Sequence, residues 1–490
     1  MFDTAETGHR IDDETYGQSL PGLRTALLET QYAVLEQARF PVILVIAGVE
    51  GAGKGEILTL LNEWMDPRHI HTHAFGLPAG EDLAHPRMAR YWRTLPPKGR
   101  LGIYLGSWYA GPMHDRVSGD LGKTDFERRI EGIVRFERML ADEGALLLKL
   151  WLHLSRKGQR RAFKQLESDP HTRWRVTAED WAQHARYKRL IRAAEGMLRA
   201  TSTAAAPWYL VDGTDANYRA LAVGRTLLEA MRARIGASEP APARRSAPPM
   251  RDDGKKRLAE TGPRVDLDKR RYDKLLPKEQ GRLNRLSRDK RFRGRGVVAV
   301  FEGLDAAGKG GAIRRVTRAL DARFYQVVPV SAPTDEELAQ PYLWRFWRRI
   351  PRAGRFTLFD RSWYGRVLVE RVEGYCSRSD WMRAYGEIND FEEELSEAGI
   401  VLAKFWLAIS PEEQLRRFKA REQVSFKRHK LTDDDWRNRR RWNAYQRAAA
   451  DMIGRTSTDH APWTVVEADD KHHARIKVLR TLSERIEAAL

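Results

Sequence analysis

Val297-Val-Ala-Val-Phe-Glu302-Gly-Leu-Asp305-Ala-Ala-Gly-Lys309-Gly-Gly311 is the stretch that decides the fold. Its apolar, β-branched opening (297–301) reads as a short buried strand. The spacing G-x-x-x-x-G-K follows, fixed by Gly303, Gly308 and Lys309, and a helical pattern then runs from Lys309 to Leu320. A strand, a glycine-rich turn and a helix in this order define a phosphate-binding loop. The glycines let backbone N–H groups, those of Ala306 and Ala307 among them, turn toward a phosphate. The helix N-terminus adds partial positive charge and Lys309 adds a full one. In the usual motif a Ser or Thr after the lysine holds Mg²⁺. Gly310 and Gly311 stand there instead, so Asp305 inside the loop is the candidate for that metal duty.

Outward from this loop, the sequence repeats itself. Gly48-Val-Glu-Gly-Ala-Gly-Lys54-Gly stands 255 residues before Gly303-Leu-Asp-Ala-Ala-Gly-Lys309-Gly. The same shift aligns Ser107-Trp108-Tyr109 with Ser362-Trp363-Tyr364, Lys149 with Lys404, and Pro207-Trp208 with Pro462-Trp463, with no gap. So long a period means two whole domains rather than short stacked repeats. The expected division is 1–235, a Pro-rich then basic linker and helix at 236–295, and 296–490. In each copy short apolar runs alternate with longer helical stretches, which implies an α/β fold with a parallel sheet covered on both faces. Such sheets bind ligands at the carboxyl ends of their strands.

A second motif ends the apolar run Phe356 to Phe359: Asp360-Arg361-Ser-Trp-Tyr364. An acid at the end of a buried strand beside a phosphate loop is where phosphoryl-transfer enzymes hold Mg²⁺, and an adjacent arginine neutralises charge on the moving group. Between Pro411 and Trp436 lie Arg416, Arg417, Lys419, Arg421, Lys427, Arg428 and Lys430, a pattern expected of a basic lid over phosphates.

Composition narrows the class. The chain of 490 residues is 42% hydrophobic and 31% charged, ordinary for globular domains, with net charge +19. Residues 244–295 hold 19 basic and 8 acidic side chains, so much of the excess is concentrated there. A polyanionic partner is implied, without specifying which. The single cysteine, Cys376, excludes an intramolecular disulfide and a cysteine-rich metal site. No apolar run approaches the roughly 20 residues of a membrane span, and the polar, acidic opening to Thr15 lacks a leader's apolar core. A cytoplasmic protein is expected. His69, His71 and His73 alternate as on a strand, but Phe324, Gln326 and Val328 replace them in the second copy, so an ordinary strand is expected.

The copies disagree where chemistry is expected. Asp360 and Arg361 match Leu105 and Gly106; Asp305 matches Glu50, and Gly311 matches Glu56. Only Lys54 survives. The first domain is therefore expected to be catalytically inactive and the second to carry the chemistry.

The motifs Glu302–Gly311, Phe359-Asp-Arg-Ser-Trp-Tyr364, Val369-Glu-Arg-Val-Glu-Gly374, Ala461-Pro-Trp463 and Ala468-Asp-Asp-Lys471 together resemble the polyphosphate kinase 2 family, specifically its two-domain members. The resemblance implies two tandem P-loop-kinase-like three-layer α/β/α domains with helical lids. It implies Mg²⁺-dependent phosphoryl transfer between inorganic polyphosphate and a nucleotide, with AMP as acceptor and ADP as product. By this carry-over Asp305 and Asp360 take metal and catalytic roles. Lys309 and Arg361 join them in catalysis. Gly303, Ala306, Ala307, Gly308, Gly310, Gly311, Arg366, Arg371, Arg421, Lys427, Arg428 and Lys430 contact phosphate. The residues alone say phosphoryl transfer without naming the donor. They leave open an ATP-dependent nucleoside monophosphate kinase and a non-catalytic polyanion binder. Neither nucleic acid nor membrane is expected as a partner; a homo-oligomer is left open.

Overall fold

In the computed structural model of the chain, residues 1–237, 246–251, 253–259, 266–423 and 432–490 are described. They form two compact units, each built on its own five-stranded sheet.

The first sheet comprises β1 (Val42–Gly48), β2 (Ile70–Ala74), β3 (Leu101–Leu105), β4 (Leu146–His153) and β5 (Trp208–Asp212). The second comprises β6 (Gly296–Gly303), β7 (Tyr325–Pro329), β8 (Phe356–Asp360), β9 (Ile400–Ala408) and β10 (Trp463–Glu467). All pairings are parallel, in the orders β2-β3-β1-β4-β5 and β7-β8-β6-β9-β10. The orders are identical under the 255-residue shift. The central strands β1 and β6 are buried almost throughout, which is why their sequences are continuous apolar runs and not alternating ones.

The helices used below are α1 (Asp13–Gln37), α2 (Lys54–Trp64), α3 (Ala110–Ser118), α4 (Lys123–Asp142), α5 (Tyr187–Thr201) and α6 (Ala216–Gly236) in the first unit. The second unit holds α7 (Lys269–Ser287), α8 (Lys309–Thr317), α9 (Arg378–Glu397), α10 (Pro411–Glu422), α11 (Asp433–Arg440), α12 (Trp442–Thr456) and α13 (Lys471–Ala489). The segment expected to be a basic linker and surface helix contains α7, which buries Tyr272, Glu279 and Leu283 and packs along α13. It occupies the place that α1 takes beside α6. Its basic residues lie on the outer face.

One buried polar network recurs in both units. Lys404 Nζ donates to Glu392 Oε2 (2.6 Å), to the Tyr364 hydroxyl (2.8 Å) and to the Thr456 carbonyl (2.7 Å). Trp363 Nε1 and the Tyr364 hydroxyl donate to the same carboxylate. Lys149, Glu137, Trp108, Tyr109 and Thr201 repeat the arrangement. Every charge in it is paired and hydrogen-bonded, the condition under which a buried ion pair is tolerated. Its presence in the copy lacking Asp360 and Arg361 marks it as a device for anchoring the turn after β3 and β8.

Candidate active site

The second unit's site lies at the carboxyl ends of β6 and β8. Parallel register sets Phe301 beside Asp360, so the phosphate loop and the acid–arginine turn leave the sheet side by side. Gly303 (φ 142°) and Gly308 (φ 110°) adopt backbone that only glycine takes without strain, and Gly308 caps α8. Two non-glycine residues of this site also have positive φ, Ala306 (61°) and Arg361 (65°). The matching residues of the first unit are Gly51 (79°) and Gly106 (65°). Backbone strain is thus held where the second unit places its site and relieved in the first.

Lys309 folds back over the loop, its ammonium donating to the Gly303 carbonyl at 2.6 Å. Burial holds its pKa below the usual lysine value, reinforced by Arg361, while Asp305, Asp360 and Glu302 oppose the shift. Arg361 donates to Asp305 Oδ1 at 2.9 Å and Asn438 Nδ2 donates to Oδ2 at 2.8 Å, so both oxygens of Asp305 are engaged. Asp360 differs: among the described residues its carboxylate has no hydrogen-bond or ion-pair partner. Its Oδ2 lies 3.8 Å from the position a Cβ at Gly310 would take, so the missing side chain there leaves the carboxylate room beside the first turn of α8. Glu302 is buried, accepts from the Ser362 hydroxyl at 2.8 Å, and has a pKa pushed up by desolvation. A small cavity of about 60 Å³ opens between Asp305, Arg361, Trp406, Asn438 and Tyr445.

The other candidate residues distribute as follows. Arg417 is a buried strut: it donates to the Ala306 and Ala307 carbonyls (2.8 and 3.1 Å) and to those of Ala468 and Asp469, and its Nε pairs with Glu413. The loop is shaped by this arginine from below, assisted by Gln414, which donates to the Asp305 carbonyl. Arg366 pairs with Glu370 at 2.7 Å and lies over the Tyr342 ring. Arg371 pairs with Asp451 and donates to the Tyr385 hydroxyl, both at 2.8 Å. Arg421 stands in the last turn of α10, close enough to stabilise the ionised form of Asp435, whose pKa burial raises. Lys427, Arg428 and Lys430 lie outside the described residues. Asn438 and Tyr445 were not singled out from sequence, and Glu302 opened a quoted motif without being given a role. Glu302 adjoins the loop and carried a local signal, whereas Asn438 reaches Asp305 from 133 residues away on α11.

The first unit's loop is closed upon itself. Lys54 Nζ pairs with Glu50 Oε1 at 2.6 Å. Arg219, buried on α6, bonds the Gly213 carbonyl and pairs with Glu56. Its guanidinium sits about 2.3 Å from where a Cβ on Gly53 would stand, packed against the turn that a phosphate would otherwise approach. Carboxylates of the protein thus neutralise the cationic groups near this loop.

A phosphate loop opening a helix, with an acid and an arginine at the end of the adjoining parallel strand, defines a P-loop phosphotransferase. The family model for Polyphosphate kinase 2 (PPK2) matches residues 10–238 and again 266–490, and the chain belongs to that family. It is 55% identical over 491 residues to a polyphosphate:AMP phosphotransferase of Pseudomonas aeruginosa, spanning 100% of this chain and 99% of the relative. It is 37% identical to one of Acinetobacter johnsonii, spanning 98% and 99%. A crystal structure described as a polyphosphate kinase 2 from Pseudomonas aeruginosa superposes with TM-score 0.91 at 53% identity, covering 100% of this chain and 99% of that one.

Proposed function

We propose that the chain transfers a phosphoryl group from inorganic polyphosphate to AMP, giving ADP, and that the second unit performs the chemistry. The observation that carries the reading is the uncommitted Asp360 carboxylate beside Lys309 and Arg361 at the mouth of an open loop, against a first unit whose loop pairs its own charges. Full-length similarity to polyphosphate:AMP phosphotransferases supports the choice of donor and acceptor.

An oxygen of the AMP phosphate attacks the terminal phosphorus of the polymer in line. The new P–O bond forms as the bridging P–O bond breaks, and polyphosphate leaves one unit shorter. Loop N–H groups and Lys309 hold phosphate oxygens, and Arg361 offsets the negative charge spread in the transition state. Asp305 keeps the Arg361 guanidinium aimed across the loop, and Asn438 fixes Asp305.

The donor set suits Mg²⁺: Asp360 and Asp305 are hard oxygen donors. Among the described residues no group of three potential ligands forms a cage, which leaves coordination positions for phosphate oxygens and water, the way Mg²⁺ is usually held. Bound there, Mg²⁺ supplies charge neutralisation to the phosphates. Among the described residues no helix is long and apolar enough to cross a membrane, and a cytoplasmic location for the reaction is part of this reading.

The test is incubation of the full chain with Mg²⁺ and AMP, with polyphosphate or ATP as donor, and chromatography of the products. ADP formed at the expense of polyphosphate is expected. Turnover with ATP alone supports a nucleoside monophosphate kinase and overturns the proposal, as does the absence of turnover with either donor.

A further inference from the structure

The first unit, whose loop is closed, carries a groove of about 960 Å³ between α3, α4 and α5. Six cationic side chains line it, Arg116, Lys123, Arg135, Arg138, Arg189 and Arg192, against two carboxylates, Glu127 and Glu131. Phe126, Ile130 and Val134 form its floor, while Ala193, Gly196 and Ala200 leave the α5 wall low. Arg138, Arg189 and Arg192 are exposed, and among the described residues their guanidinium groups have no hydrogen-bond or ion-pair partner.

The internal repeat supplies a control within the same chain. In the second unit the positions of Arg135, Arg138, Arg189 and Gly196 are held by Asp390, Glu393, Ala444 and Asp451, while those of Lys123 and Arg192 stay basic as Arg378 and Arg447. There Arg371, the match of Arg116, is neutralised by Asp451. In the first unit Gly196 offers no carboxylate, and Arg116 bonds only a backbone carbonyl, that of Leu121, among the described residues. Helices α4 and α5 recur in the second unit as α9 and α12, while the place of α3 is taken there by a 3-10 turn (Trp363–Val367) and a five-residue helix (Val369–Glu373), so the α4–α5 pair does not require the positive charge of Arg135, Arg138 and Arg189. The copy that lacks the acid–arginine pair carries a cationic groove, and no residue of its loop 48–54 lines it.

We propose that this groove is a second docking site for linear inorganic polyphosphate, a non-catalytic one. The inference rests on the reading of polyphosphate as donor and adds a site that holds the polymer away from the loop. The lining favours this occupant: a thin, flexible chain with a negative charge at every unit suits scattered exposed guanidiniums. Phe126, the aromatic residue in the lining, is buried, so the groove offers no stacking platform of the kind single-stranded nucleic acid uses.

The experiment measures equilibrium binding of a medium-length polyphosphate to the full chain without AMP, in a background carrying Lys309→Ala and Arg361→Ala. Binding is expected to persist in that background. Adding Arg138→Glu, Arg189→Glu and Arg192→Glu is expected to weaken it by more than tenfold. The salt dependence should flatten by about 2–3 units in the log–log slope, at roughly 0.7–0.9 counterion for each of the three guanidiniums. The same three changes in the otherwise native chain should leave ADP formation from a short donor within about twofold. The neutral set Arg→Gln gives a smaller loss in the same direction and a thermal melt matching the parent, which separates lost charge from lost folding. Polyphosphate binding abolished by Lys309→Ala and Arg361→Ala alone overturns the site. So does equal binding with or without the glutamates, tighter binding of single-stranded DNA than of polyphosphate, or a glutamate-induced change in oligomeric state, which would make the groove an interface between copies. A parent that binds polyphosphate but forms no ADP refutes the proposed activity and leaves the groove standing, so the two failures are distinguishable.

Discussion

Arg361 is held at φ 65° and Gly106 at the same angle in the first unit, and this pair makes a prediction about stability that ordinary propensity would reverse. Replacing Arg361 with Ala removes the guanidinium but keeps a Cβ in left-handed backbone, which costs about 1–2 kcal/mol. Replacing it with Gly removes that cost, while the freer unfolded chain takes back about 0.5–1 kcal/mol. Both variants lose the pair with Asp305, worth about 0–1 kcal/mol at a side chain as exposed as this one, 46%. That term cancels between them, and Asn438 still holds Asp305 in each. Arg361→Gly should therefore be more stable than Arg361→Ala by about 0.5–1 kcal/mol, which for a unit near 200 residues is about 1–4 °C in the melting transition. Both should lose about 10³-fold or more in turnover. Differential scanning calorimetry of the two full-length variants, alongside ADP formation, checks this. An alanine variant that melts at or above the glycine variant refutes the left-handed turn, and a variant retaining turnover refutes the role of the guanidinium.

Burial lowers the Lys309 pKa, so in the free enzyme the ammonium is lost before an ordinary lysine's would be. kcat/KM should fall on the alkaline side below pH 10.5, and Lys309→Arg, if active, should move that limb upward. Burial pushes the Cys376 thiol up to about 12, above its usual value. The folded protein should react with iodoacetamide at pH 8 far more slowly than after denaturation. This group's share of stability, intact below pH 9, should be lost as pH rises toward 12. Restoring an arginine in the first unit by Gly106→Arg should not create activity, because a Cβ there stands 2.1 Å from the Phe75 carbonyl oxygen. A drop of several degrees in the first unit's melting transition is expected, with no second active site in a Lys309→Ala background.

Much of this site is local in sequence, which is why it was legible. The loop from Gly303 to Lys309 and the turn after β8 are each written in a few consecutive residues, and parallel register brings them together. The 255-residue repeat gave both sheets at once. What was hidden depends on contacts between distant segments. The α7 segment reads as a basic surface helix because its charges outnumber the few apolar residues, such as Tyr272 and Leu283, that pin it to α13. Arg417 belongs to a basic run that reads as a lid, and only the fold reveals that it turns inward to hold the Ala306 and Ala307 carbonyls. Asn438 has no periodic or motif signal. The closure of the first loop by Arg219 is likewise unreadable from sequence, since Ala474 stands at that position in the second copy and the guanidinium arrives from α6, 166 residues after Gly53.

The most direct test of the division of labour between the units compares two single substitutions at matching lysines. ADP formation from AMP and polyphosphate should fall at least about 10³-fold in Lys309→Ala, a loss comparable to that of other transition-state cations, and stay within about twofold of the parent in Lys54→Ala. Equal losses in both would make the two units share the chemistry, and a loss confined to Lys54→Ala would place it in the first unit; either result contradicts the account.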